Sequence, residues 1–285
     1  DVPFKVNLKM QYPMIFNSLD NLILLIIVFF LPYFDNRLFV FVVGYVFSNI
    51  LGFFSSLVYL KKKFGYSYKF SVKDSKWLFV QALPLYGYIV LDTIYQQLDI
   101  LVLKHYSNFH DVGIYAIATR LVLPLIIIPN AIIHTAFPKF AQNNSNNVLH
   151  NQYVNIVFKL LFLFSVFISV AFAFKDIEII NVLFGYEYKD ASNPTSILLL
   201  SQVFIFYNYF VINLLVAYNK QYLDFIYATF ILIINSILML ILIPYFSYTG
   251  LAYSKLITSF LGFIFMFIIL YRHNKIVYLF NFNTL

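Results

Sequence analysis

Two long apolar segments of this sequence carry side chains that hydrocarbon does not tolerate. Trp77 to Lys104 contains Asp92, Gln96, Gln97 and Asp99, and Val112 to Pro138 contains Arg120, Asn130 and His134. A charged group at mid-bilayer costs roughly 2.5–3.5 kcal/mol on insertion scales, so such residues face a bundle interior or a water-filled cavity. Arg120 offers a planar guanidinium fork that suits an anionic ligand. The bland alternative is a buried Arg neutralised by a partner for packing. Asp92, near mid-helix, is a candidate for ion or proton coupling; its alternative is a neutral acid hydrogen-bonded to a neighbour. Tyr88, Asp92, Tyr95 and Asp99 recur at i, i+4, i+7 and i+11, which puts them on one helical stripe. On that stripe Tyr88 and Tyr95 can stack a ligand or simply pack, and Gln96 is a further polar candidate beside them. Lys159 and Lys255 lie about one and a half turns inside their spans. They are either cationic substrate contacts or lysines that snorkel to the interface.

The elements that position these groups are membrane helices. Both segments exceed the ~20 apolar residues needed to cross a bilayer. They form a hairpin about a short polar turn, so Asp99 and Arg120 lie within roughly 3 Å of one depth. An Asp99–Arg120 ion pair across the turn is therefore expected, provided helix rotation turns them together. Eight spans can be placed along the chain. They are Leu19 to Tyr33, Asn36 to Leu60, the two of the hairpin, Tyr153 to Phe174, Ser196 to Tyr218, Leu223 to Pro244 and Gly250 to Tyr271. The fold class is an all-α integral membrane protein, because only helices and closed barrels satisfy their backbone in lipid and strand-length alternation is absent.

Composition leads to the same class. Of 285 residues, 62% are hydrophobic and only 11% charged, against about 25% charged in a soluble domain. Mean hydropathy is +0.82. The net charge of +7 is no nucleic-acid footprint, because the basic residues flank apolar spans. Under the eight-span scheme, twelve Lys and Arg residues fall on one side, four on the other and three within spans. The positive-inside rule then puts both ends of this chain in the cytoplasm. Six of the twelve lie in the linker KKKFGYSYKFSVKDSK, residues 61–76. This linker marks a boundary between residues 1–75, with two spans, and residues 76–285, with six. The longest outer stretch, AFKDIEIINVLFGYEYKDASNP, is expected to lie along the interface. Pro84, Pro124 and Pro129 fall inside spans, where they kink helices.

No cysteine is present, which removes disulfides and thiolate chemistry. His105, His110 and Asp111 crowd the short hairpin turn, where ordinary surface residues are the simpler reading than a metal site. No phosphate-binding loop of the ATPase type, no H-E-x-x-H and no G-x-S-x-G occurs, so neither a metal nor a cofactor is expected. The first residue is Asp and no signal-peptide pattern follows it. Residue 1 therefore reads as an internal point of a longer protein.

The order of these motifs resembles one family. A helix with Trp77, Pro84 and Asp99, a turn, then Val112-Gly113-Ile114-Tyr115, Ala118, Leu121 and Pro138 is similar to the start of the C-terminal half of polysaccharide transporters. These are the O-antigen-type flippases of the multidrug/oligosaccharidyl-lipid/polysaccharide exporter superfamily. Leu183-Phe184-Gly185 and Tyr188 resemble the segment before the family's tenth helix. The resemblance implies two six-helix lobes with a substrate cavity between them. Residues 1–75 would be the last two helices of the first lobe, and residues 76–285 the complete second lobe. It further implies a flippase for an undecaprenyl-diphosphate-linked oligosaccharide, working by alternating access in a bacterial inner membrane. Its partners would be lipid-linked oligosaccharide, membrane lipids and other polysaccharide-assembly membrane proteins. No covalent chemistry is implied.

Three other classes fit less well. A multidrug exporter of the same superfamily would favour an acidic, apolar cavity, and Arg120 argues against it. A polysaccharide polymerase or glycosyltransferase would carry a larger outer loop or a soluble domain. A structural scaffold would not need Asp92, Asp99 and Arg120 at depth.

Overall fold

The computed structural model describes residues 11–64, 71–142, 148–173 and 176–272. Residues 1–10, 65–70, 143–147, 174–175 and 273–285 lie outside the described residues. All regular structure in the described part is helical. The chain divides into two compact units, Asp1–Ser75 and Lys76–Leu285.

The first unit is a hairpin of α1 (Gln11–Phe30) and α2 (Arg37–Phe64). Pro32 sits in the 3-10 turn Leu31–Tyr33 that ends α1. The Asn36 side chain then accepts from the Phe39 N–H at 3.2 Å and starts α2. Gly44, Ser48 and Gly52 recur every fourth residue of α2, the small-residue spacing that lets membrane helices approach closely. A methyl group added at Gly44 would come within 2.7 Å of Ile27, and one at Gly52 would lie on the Asp20 carboxylate. The contacts pair 44 with 27 and 52 with 20, which is antiparallel register. Lys61, Lys62 and Lys63 fill the last turn of α2, where they complement the helix dipole.

The second unit begins with α3 (Val72–Tyr106), followed by α4 (Phe109–Val122) and α5 (Ile127–Gln142). Asn108 caps α4 by accepting from the Asp111 N–H at 2.8 Å. The hairpin's second helix is not continuous. A 3-10 turn at Leu123–Ile126 separates α4 from α5, because Pro124 and Pro129 lack the N–H groups that would carry the helix through. Next come α6 (Val148–Ala173), α7 (Asp176–Phe184), α8 (Ser192–Ala217) and α9 (Gln221–Arg272).

Helix α8 is central. It carries no charged residue, its buried positions run around its whole circumference, and it packs against α4, α5, α6, α7 and α9. A helix apolar on all sides is a buried one. Two of its hydroxyls are satisfied locally: Ser201 and Thr195 donate to carbonyls three and four residues earlier.

The last two expected spans are the two arms of α9, joined at a kink. Helix α9 runs for 52 residues with a single non-helical residue, Ser247, at φ 48° and ψ −129°. Contacts are symmetric about it: Thr258 meets Asn235, and a methyl on Gly262 would meet Ile231 and Tyr227. The two arms, 221–246 and 248–272, are therefore an antiparallel hairpin that turns on one residue. A methyl on Gly250 would run into the Leu242 backbone, so that turn requires a glycine there.

The stretch expected to lie along the interface is described from residue 176 onward and is helical. Helix α7 and a 3-10 turn at Tyr186–Ala191 join at Gly185, whose φ of +97° favours glycine. They bury Ile180 and Ala191 against Ile114 and Ile117 of α4.

Among the described residues, six helices are long and apolar enough to cross a membrane, with Ser18–Tyr33 a shorter apolar one. Since the 52-residue helix holds two arms, the spans correspond to those read from the sequence.

Candidate functional site

The polar stripe of α3 leads to one buried ionic cluster. Asp99 is 6% exposed. Its Oδ2 accepts from Lys255 Nζ at 2.8 Å and from the Tyr115 hydroxyl at 3.4 Å. Asn235 Nδ2 points at Oδ1 from 3.5 Å. Thr258 Oγ1 donates to Asn235 Oδ1 at 3.4 Å. Three helices thus supply the site: α3 the acid, α4 the phenol, and the two arms of α9 the amide, the hydroxyl and the amine.

Lys255 reaches inward. It is 8% exposed, and its ammonium lies 3.3 Å from the centre of the Tyr95 ring, close enough for a desolvated cation–π contact of about 2 kcal/mol. Of the two readings of Lys255, the snorkelling one is therefore corrected. A lysine two turns past Ser247 is nearer to the carboxylate and the ring than to water. The expected Asp99–Arg120 pair is corrected as well: the two residues form no ion pair. Tyr115 takes the face of α4 that looks at Asp99. Arg120, five residues further on, is rotated by about 140° and is exposed.

The other candidates fall around this centre. Asp92, half-buried, accepts from Gln96 Nε2 at 2.7 Å, so its partner is its own i+4 neighbour on an exposed part of α3. The charge of Asp92 also acts on Lys255. Tyr88 and Tyr95 are half-buried and pack against the larger apolar core. Lys159 is half-buried on α6 and is not among the residues that touch Asp99. Asn130 on α5 accepts from the Tyr209 hydroxyl of α8, which ties those helices, and His134 is exposed.

The hairpin turn holds a separate clamp. Ser247 donates to the Asp111 carboxylate, and its hydroxyl lies 2.7 Å from that of Ser107. The Asp111 side chain thus holds the turn of α9 in place, while His110 is left exposed beside it. Sequence reasoning did not single out Asn235, Thr258 or Ser247, and named Tyr115 only as part of a family motif. An amide and a hydroxyl on facing arms leave no signal in one sequence. Asn235 could have been flagged as the one amide inside an otherwise apolar span.

Residues 4–144 match the family model described as polysaccharide biosynthesis protein. The fold matches a solved structure titled lipid II flippase MurJ, inward closed conformation, with a TM-score of 0.68 and 22% identity. The match covers 95% of this chain and 58% of that one, so the chain spans less than two thirds of that protein's length. At this identity the likeness is one of fold. No curated protein matches the sequence. The chain is an all-α membrane protein with the fold of that flippase, and just under half of it is similar to the polysaccharide biosynthesis protein family.

Proposed function

We propose that this chain is part of a transporter that flips a diphosphate-linked lipid saccharide across a membrane by alternating access. In this reading residues 1–75 are the last two helices of one lobe and residues 76–285 a complete six-helix lobe. The membrane is a bacterial inner membrane, and the basic linker faces the cytoplasm. The substrate is an undecaprenyl-diphosphate oligosaccharide of the O-antigen or capsule type. The protein acts as a carrier, without covalent chemistry on its cargo.

The observation that carries the reading is a neutralised ionic cluster, Asp99–Lys255, buried inside a unit with a flippase fold. It leaves Arg120 as the cation for the diphosphate. Lys255 is already committed to Asp99, whereas Arg120 is exposed and makes no ion pair among the described residues. A guanidinium fork matches two phosphate oxygens at once. Tyr88, Gln96 and Asp92 lie on the same hairpin and supply stacking and hydrogen-bonding groups for the sugar. The test is export of the lipid-linked saccharide by the full-length protein carrying Arg120→Ala or Arg120→Lys. The Ala variant should stay in the membrane and lose export. The Lys variant should recover only part of it, because a point charge replaces a planar fork. Normal export by the Ala variant would remove the diphosphate role.

A further inference from the structure

One buried acid takes no part in the cluster above. Asp224, in the first turn of α9, is 0% exposed. Both of its carboxyl oxygens lack a hydrogen-bond partner, and so does the buried Oε1 of Gln221, one turn earlier. Asp224 forms no salt bridge among the described residues. Its position is well defined. Phe225, the next residue, packs so close to α3 that a methyl on Gly87 would come within 2.7 Å of its ring. The titratable groups that its charge reaches are Tyr88 of α3 and Tyr227 of its own helix. Asp92, the nearest acid along α3, acts on the same two tyrosines. Helix α8, packed along α9, brings Asn208 and Tyr209 to this end of the unit but no charged residue. Lys220, just before α9, and the exposed Arg272, at the end of its other arm, are the cations at this end, and neither bonds to the Asp224 carboxyl oxygens.

A buried ionised carboxyl without a bonded partner is far costlier than the neutral acid. A protonated carboxyl also becomes a donor, and Gln221 Oε1 is an acceptor in need of one. One carboxyl with one amide oxygen offers too few ligands for a hard metal cation such as Ca²⁺, which takes six or more oxygens. A proton needs only one. The geometry points to Asp224 as a proton-binding site at the end of the unit that the charge bias assigns to the cytoplasm. It holds its proton while α3 packs on the start of α9, and exchanges it with water when those helices separate. The step is balanced: the O–H bond breaks, the carboxylate keeps the electron pair, and water takes the proton. Asp99, beside Asn235, lies about 16 Å further along α9, so this site is distinct from the ionic cluster. The role of the proton in transport rests on the reading above; its location does not.

Infrared pH-difference spectra of the full-length protein in lipid nanodiscs, without substrate, test the site. A carboxylic-acid carbonyl band should be present near neutral pH, vanish in Asp224→Asn, and persist in Asp92→Asn and Asp99→Asn. Asp224→Glu should shift the band, which keeps the test decisive if the Asn variant does not fold. A band unchanged by both Asp224 variants, or one that answers to sodium and not to pH, would overturn the site. Exchange is read from a cysteine at Ala217, buried at the same end of α8, relative to one at the exposed Phe109. Its relative labelling rate should rise with pH, by up to tenfold per unit, over the range in which Asp224 is protonated in the packed state and ionised in the opened one. Asp224→Asn should flatten that slope, and a flat wild-type rate would overturn the exchange step. Neither readout uses substrate, so a protein that flips nothing yet shows the band would refute the transport reading and leave the site standing.

Discussion

The Lys255 ammonium lies 2.8 Å from Asp99 and 3.3 Å from the centre of the Tyr95 ring, between two residues one turn apart on α3. This contact ties the second arm of α9 to the first helix of the six-helix unit. A buried pair adds little net stability over an apolar one, but losing one member strands a charge at a cost of roughly 3–5 kcal/mol.

The first prediction follows from that asymmetry. Asp99→Asn and Lys255→Met should each lower the thermal stability of the purified protein and its abundance in the membrane. The double variant should recover most of the loss. Equal losses in the single and double variants would show that the pair does not couple.

How much of this was legible in the sequence depends on how far apart the partners lie. The stripe of Tyr88, Asp92, Tyr95 and Asp99 shares one helix, so spacing alone groups them, and the structure places them on one side of α3. Lys255 reaches Asp99 only through the hairpin at Ser247, and no spacing rule spans that distance. Depth was readable for Arg120, but rotation was not. Tyr115 occupies the inward face of α4, and the helical repeat then carries Arg120 to the exposed one. The break at Pro124 was visible as a kink. The one-residue turn at Ser247 was not, because a serine with positive φ has no sequence signature.

Ser247 supplies the second prediction. Its hydroxyl is held by Asp111 and Ser107 while its backbone sits in a region unfavourable to side chains. Asp111→Ala should cost about 1–3 kcal/mol, by leaving the hydroxyl without its acceptor. Ser247→Val should cost more, because a β-branched residue tolerates positive φ poorly. Thermal unfolding in detergent measures both, and a stable Ser247→Val protein would contradict the turn as described.

Packing in the first unit gives the third prediction. Gly52 rests against the Asp20 carboxylate. Gly52→Ala should therefore destabilise the α1–α2 hairpin, although alanine is the better helix former by about 1 kcal/mol. Asp20→Ala in the same chain should restore it. Protease resistance of the membrane-embedded protein reads the outcome, and a Gly52→Ala protein as resistant as wild type would refute the contact.

The fourth prediction separates stability from transport. Arg120 is exposed and Asp99 is buried. Arg120→Ala should change stability by less than about 0.5 kcal/mol, as surface substitutions do, yet reduce export. Asp99→Asn should reduce both. A melting temperature that falls as far for Arg120→Ala as for Asp99→Asn would place the arginine in the fold and not in the transport path.

The central claim is that the protein moves a lipid-linked saccharide across the bilayer, and flipping in reconstituted vesicles tests it most directly. Full-length protein is placed in liposomes with a diphosphate-linked polyprenyl oligosaccharide in the inner leaflet. A sugar-cleaving enzyme outside reports its arrival. The account predicts cleavage well above that of protein-free liposomes, and its loss on Arg120→Ala. Cleavage no faster with the protein than without it, for each diphosphate-linked saccharide offered, would contradict the account.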